Sequence, residues 1–220
     1  MKKVGVILSG CGVFDGSEIH EAVLTLLALD RHDADVAIFA PDTNQREVIN
    51  HVSGEATGEL RNTLVESARI ARGNILSLDQ ASPEDLDAVI FPGGYGVAKN
   101  LCDFAMKGAD CTPNSEVSDF IVKCLEKRKP MGFICIAPVL LANISGKMDL
   151  TIEMTIGKDV KTADSIRAMG AHHIEADVDD IVVDLENRIV STPAYMLGQR
   201  IRDVATGIER LVEKVLELCE

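Results

Sequence analysis

Cys135 ends an apolar run in "GFICIAP", three residues before Pro138. A cysteine placed so has two readings. Most buried cysteines are small, inert hydrophobes. A thiol at a sharp strand-to-helix turn is different, because the first peptide N–H groups of a helix favour negative charge and lower a thiol pKa. Pro138 suits the first helical turn, where its missing N–H would be unpaired anyway. The N–H of Ile136 would then point toward an oxygen on a carbon attacked by the sulfur. Glu21 offers a proton carrier. It lies off the main stripe of its helix, yet Leu24 and Ala28 at i+3 and i+7 are apolar, so its carboxyl is expected to be partly buried with a raised pKa. The plainer alternative is a favourable charge in the first helical turn. Glu18 and His20 are rivals at neighbouring positions, on what would otherwise be a solvated face. The Gly93-Gly94 pair in "FPGGYG" lets a ligand oxygen approach backbone N–H groups, or is simply a tight turn.

The elements that must position these residues alternate in type. "VGVILSG" (Val4 to Gly10) reads as a buried strand, and "GSEIHEAVLTLLALDRHD" as a helix with Ser17 as N-cap. A strand over Ala34 to Asp42 follows, then an extended loop from about Thr43 to Gly58. "RNTLVESARIARG" predicts a helix stopped by Gly73, "NILSLDQ" a short strand, and Ala88 to Phe91 a strong strand. Val97 to Asn114 is mixed in composition; "SEVSDFIVKCLEKRKP" is a helix whose apolar stripe takes in Cys124 as core. "PMGFICIAP" and "LTIEMTIG" read as strands, with helices "VLLANI" and "TADSIRAMG" behind them. "IVVDLENRIVSTPA" is strand, turn, strand, and Ala194 onward a long terminal helix with weak points at Gly198 and Gly207. This alternation predicts one α/β domain over residues 1–220, with a parallel sheet covered on both faces. Ligands bind such sheets at the carboxyl ends of the strands, where all three candidate stretches fall.

Bulk composition excludes several classes. A formal net charge of −13 repels a polyanion, so no nucleic-acid partner is expected. No run approaches the ~18 apolar residues of a membrane span, and the N-terminal apolar stretch is too short and too closely followed by acidic residues for export. A cytoplasmic protein is the expectation. The six cysteines include no C-x-x-C pair, so free thiols and no metal site are expected. Neither nucleotide-binding glycine fingerprint occurs.

Taken together and in order, "GSEIHEA", "FPGGYG" and "GFICIAP" resemble the class I glutamine amidotransferase-like superfamily, in its PfpI and Parkinson-disease-protein branch. The resemblance is nearest to the isoprenoid-biosynthesis glyoxalase ElbB group, through "KKVGVILSGCGVFDGSEIHEAVLTLLALDR", "PGGYGVAKNL", "CIAP" and "VDDIVVDLENRIVSTPAYML", over essentially all 220 residues. It implies a flavodoxin-like three-layer sandwich with a mostly parallel sheet. It also implies Cys135 as nucleophile, Glu21 as its contacting glutamate, Gly94 and Ile136 as oxyanion-binding backbone positions, no cofactor, and a homodimer. Two departures bear on the reaction. Ile136 stands where peptidase-like members have His directly after the cysteine, and "LTIEMTIG" lacks the His that follows the cysteine at a distance in the Parkinson-disease protein. Amide hydrolysis loses its base, and an amidotransferase subunit lacks its Cys-His-Glu set. Glu21 becomes the expected base unless His172 or His173, otherwise surface residues at a strand edge, folds in. The resemblance therefore implies a glutathione-independent glyoxalase taking small dicarbonyls, glyoxal to glycolate. The alternative is a redox or aldehyde-stress sensor using the same thiol, with Cys11 as a conceivable resolving partner.

Overall fold

The computed structural model describes residues 1–219. The chain opens with β1 (Lys3–Ile7), passes through a loop into α1 (Ile19–Arg31) and returns in β2 (Asp35–Ala40). A small hairpin of β3 (Ile49–Asn50) and β4 (Glu55–Ala56) precedes α2 (Thr63–Ile70), β5 (Leu76–Ser77) and β6 (Ala88–Phe91). A π-helical turn at Val97–Leu101 and the short α3 (Phe104–Lys107) lead to α4 (Ser115–Glu126) and β7 (Met131–Ile134). Then come α5 (Pro138–Lys147), β8 (Glu153–Met154), α6 (Val160–Ala168), β9 (His172–His173), β10 (Val182–Asp184), β11 (Ile189–Thr192) and α7 (Ile201–Glu217).

The main sheet runs β10-β11-β7-β6-β1-β2-β5, with every neighbouring pair parallel except β10 against β11. Its strands are apolar on both faces because both faces are covered. Val4, Val6, Ile90 and Val190 pack with Ala22 and Leu29 of α1 and Ile208 and Leu211 of α7. Ile7, Val89, Phe91 and Phe133 pack on the other face with Val117 and Ile121 of α4 and Leu140 and Leu141 of α5. Helices, sheet and helices form the expected three-layer sandwich. The Phe91 and Phe133 rings stack at 4.9 Å and hold the ends of β6 and β7 side by side, which sets the positions of the two turns that follow.

Four local expectations are corrected. Ser17 does not cap α1: its Oγ accepts from Ser9 N at 2.8 Å, closing the end of β1, and the Glu18 carboxylate caps instead, accepting from Glu21 N at 2.7 Å. The loop expected over 43–58 contains the β3–β4 hairpin. "LTIEMTIG" contributes only the two residues of β8, which pair with β9 in a small parallel sheet outside the main one. The terminal helix starts at Ile201, because Ala194 adopts φ +44° and Ala194–Met196 forms a single 3₁₀ turn.

Candidate active site

Parallel neighbours β6 and β7 end at the same edge of the sheet, so Gly93 and Cys135 emerge next to each other. Cys135 has φ +62°, a left-handed conformation that costs a non-glycine residue roughly 1–3 kcal/mol. Its surroundings hold it there. Cys135 N donates to Thr192 O at 2.9 Å, Ala137 N donates to Ile134 O at 3.0 Å, and Pro138 starts α5 at once. A Cβ on Gly93 would lie 2.4 Å from the Cys135 Cβ and 2.5 Å from Glu21 Oε2, so only glycine allows this approach.

Glu21 enters from α1 and is fully buried. Its Oε2 accepts from Gly93 N at 3.0 Å and its Oε1 from Tyr195 N at 3.1 Å. Burial pushes its pKa up to about 8; the nearby Glu18 carboxylate adds to this, and the Tyr195 N–H, the Cys135 thiol and the Gly93 N–H pull the other way. The Cys135 thiol is pushed well above its ordinary value, first by burial and then by Glu21. The N–H groups of Gly94 and Ile136 face the sulfur and favour the thiolate, but are outweighed. The sequence expectation of a lowered thiol pKa is thereby corrected: the helix-start donors act in the expected direction, and burial beside a carboxyl reverses the sum. The two groups share a buried position, and Glu21 gives up its proton near 8, before the Cys135 thiol does.

Cys135, Gly94 and Ile136 line a cavity of about 420 Å³ together with Tyr195, Met196 and Phe104; among the described residues, Glu18 and Asp159 are the charged ones in its lining. The structure thus brings Cys135, Glu21, Gly94 and Ile136 together. His20 joins indirectly, its Nδ1 within 2.9 Å of the Tyr195 hydroxyl. His172 and His173 do not line the cavity. His172 is exposed, whereas His173, expected at the surface, is buried with Nε2 accepting from Ile156 N at 3.3 Å. Cys11 also lies elsewhere, facing Glu66, Arg69 and Asp15. Tyr195 is the site residue that sequence reasoning missed; Gly93 was expected at a ligand turn, and its N–H instead holds Glu21. One available signal was the placement of Tyr195 just past the β11 strand, at the sheet edge where ligands bind. Among the described residues, no cluster of three His, Cys, Asp or Glu could hold a metal ion, and no helix is long and apolar enough to cross a membrane.

No protein-family model matches the chain. Among curated proteins it is 46% identical over 226 residues to the ES1 protein homolog, mitochondrial, of Rattus norvegicus, covering 98% of this chain and 84% of that one. It is also 46% identical to the Homo sapiens glutamine amidotransferase-like class 1 domain-containing protein 3, mitochondrial, covering 98% and 83%. A crystal structure of an isoprenoid biosynthesis protein with amidotransferase-like domain from Ehrlichia chaffeensis superposes with a TM-score of 0.94 at 37% identity, covering both chains fully. Glyoxalase III from Candida albicans, at 13% identity and a TM-score of 0.64 over 100% of this chain and 98% of that one, shares the fold. The sheet and its two helical layers are the flavodoxin-like architecture of the DJ-1/PfpI proteins. The chain belongs to the family of ES1 and glutamine amidotransferase-like class 1 proteins. The cytoplasmic expectation is overturned by these relatives, which are named mitochondrial. Net charge cannot distinguish one aqueous compartment from another.

Proposed function

We propose that the chain is a cofactor-independent glyoxalase of the ElbB group that converts glyoxal-type dicarbonyls to hydroxy acids. One observation carries the reading: the Cys135 thiol and a carboxyl titrating near pH 8 are buried together, with the Gly94 and Ile136 N–H groups facing the sulfur. With one proton lost from the pair at Glu21, the carboxylate takes the thiol proton as the Cys135 sulfur adds to an aldehyde carbon. The hemithioacetal oxygen takes the N–H groups of Gly94 and Ile136 and receives the proton held by Glu21, which is left as the carboxylate. Glu21 then removes the proton from that carbon and returns it to the neighbouring one through an enediol, a task suited to a carboxyl with a pKa close to the working pH. The product is a thioester of Cys135. Water cleaves it, restoring the thiol and releasing glycolate from glyoxal; the sum is one glyoxal and one water to one glycolic acid. The Tyr195 hydroxyl, paired with His20 beside the same cavity, is a fitting donor to the second carbonyl oxygen.

The cavity supports a small substrate. Its charged lining, Glu18 and Asp159, favours neutral dicarbonyls over carboxylate-bearing ones. The sensor alternative has less support, since its conceivable resolving partner Cys11 lies away from the cavity and the Cys135 thiol is raised in pKa, whereas oxidation-sensing thiols are low in pKa. The test is glycolate formation from glyoxal by the purified chain, followed by NMR, beside Cys135→Ser. No glycolate, or equal turnover by the variant, overturns the proposal.

A further inference from the structure

Two cysteines outside the Cys135 site are brought together by the fold. Cys102 closes the π-helical turn and forms an antiparallel bridge with Pro113. Asp103 N donates to Thr112 O at 3.3 Å, and Asn114 N to Leu101 O at 2.8 Å. These bonds pinch the neck of an excursion that carries α3. They bring Cys111, two residues before Pro113, within side-chain reach of Cys102, and both are buried. The Cys102 thiol has two acceptors in reach, the Val97 carbonyl at 3.3 Å and the Cys111 sulfur. That contact raises Cys102 and lowers Cys111 below its ordinary value, with Lys147 adding in the same direction at Cys111. Exposed residues flank the pair: Ala105, Met106 and Lys107 on one side, Asp110 and Thr112 on the other. The other thiols face different surroundings. Cys124 is in the core, Cys11 faces Glu66 and Arg69, and Cys219 lies near Val215 and Asp87.

We propose that Cys102 and Cys111 form a peroxide-reactive dithiol, a modification site separate from Cys135, which closes into a disulfide across the neck of the α3 excursion. Cys111 is the attacking sulfur and Cys102 the resolving one. The Cys111 thiolate attacks one peroxide oxygen and the O–O bond breaks. Cys111 becomes a sulfenic acid, and the departing oxygen takes up the thiol proton to leave as water. The Cys102 sulfur then attacks Cys111, the S–O bond breaks, and the second oxygen leaves as water with the Cys102 proton. Two thiols are oxidised by two electrons in all, and one hydrogen peroxide is reduced to two waters. The ring so closed contains Phe104 and Ala105, which line the Cys135 cavity. Oxidation therefore ties down one wall of that cavity without touching its nucleophile.

The experiment uses the full chain, one equivalent of hydrogen peroxide, alkylation of remaining thiols and tryptic digestion without reductant. Cleavage after Lys107 separates the two cysteines onto peptides 100–107 and 108–123. These peptides should be recovered joined, two hydrogens lighter than their sum. Cys111→Ser should abolish the link, and Cys102→Ser should leave Cys111 as a sulfenic acid that dimedone traps at the same dose. The wild-type digest decides by itself if a variant fails to fold. Recovery of both residues as separate alkylated thiols, or linkage of either to another cysteine, overturns the proposal. The readout is independent of glyoxal turnover.

Discussion

Replacing Glu21 by Gln should make the protein less stable at mildly acidic pH and more stable above neutrality. In the folded chain the carboxyl is raised from its ordinary 4.5 to about 8. Between those values the folded state holds one proton that the unfolded state has released, so stability falls as pH rises. The contribution is full below about 4.5, drains by about 1.4 kcal/mol per pH unit, and is exhausted near 8. The whole span of about 3.5 units is worth roughly 5 kcal/mol. Gln carries no such term. It has a different, pH-independent cost: both carboxyl oxygens accept backbone N–H groups, and a carboxamide has one oxygen to offer, leaving one donor facing NH₂. That mismatch costs about 1–3 kcal/mol. The two effects cross near pH 6, and by pH 8 the variant should be ahead by roughly 2–4 kcal/mol. Urea unfolding of both proteins at steps between about pH 5 and 8, with unchanged m values, reads the difference directly and cancels every other titrating group. Parallel stability curves would refute the burial argument at Glu21.

Turnover of glyoxal should rise about tenfold per pH unit up to near 8 and then level, because the active form is the pair short of one proton; a rate falling over that range contradicts the assignment. Gly93→Ala drives a Cβ into the Cys135 Cβ and Glu21 Oε2, so kcat should drop about a hundredfold or more with a stability loss of roughly 1–3 kcal/mol, checked by glycolate assay and thermal unfolding. Tyr195→Phe removes the hydroxyl facing His20 but keeps the N–H that holds Glu21. Stability should stay within about 1 kcal/mol while turnover falls roughly tenfold; equal loss of both would assign Tyr195 a packing role only.

The sequence was most informative where one residue type had one physical reason to be present. A proline three residues past a strand-end cysteine announced the elbow, and apolar neighbours at i+3 and i+7 pointed to partial burial of Glu21, which the fold makes complete. Features made by distant partners were not legible. Ser17 is a good cap by type, but the end of β1 claims its hydroxyl and leaves capping to Glu18. The sign of the Cys135 shift depends on α1 reaching across to β7, which no local pattern reports. Tyr195 holds Glu21 through its N–H, a group every residue but proline carries, so its identity gave no hint of that role. The apolar residues of "LTIEMTIG" looked like a sheet strand; they pack against the core, but only Glu153 and Met154 of the stretch pair, and they pair with β9.

The contacts that surround the reactive pair come mostly from peptide groups: Gly93 and Tyr195 on the carboxyl, Gly94 and Ile136 on the sulfur. Point substitution changes side chains and leaves amides in place. The reaction chemistry of this pocket is therefore insulated from most single mutations, whereas its substrate range is not, because Phe104, Met196 and Asp159 present replaceable side chains to the same space. Redesign can work on that rim without rebuilding the centre. Deleting one of the backbone donors would take proline or an ester-for-amide replacement.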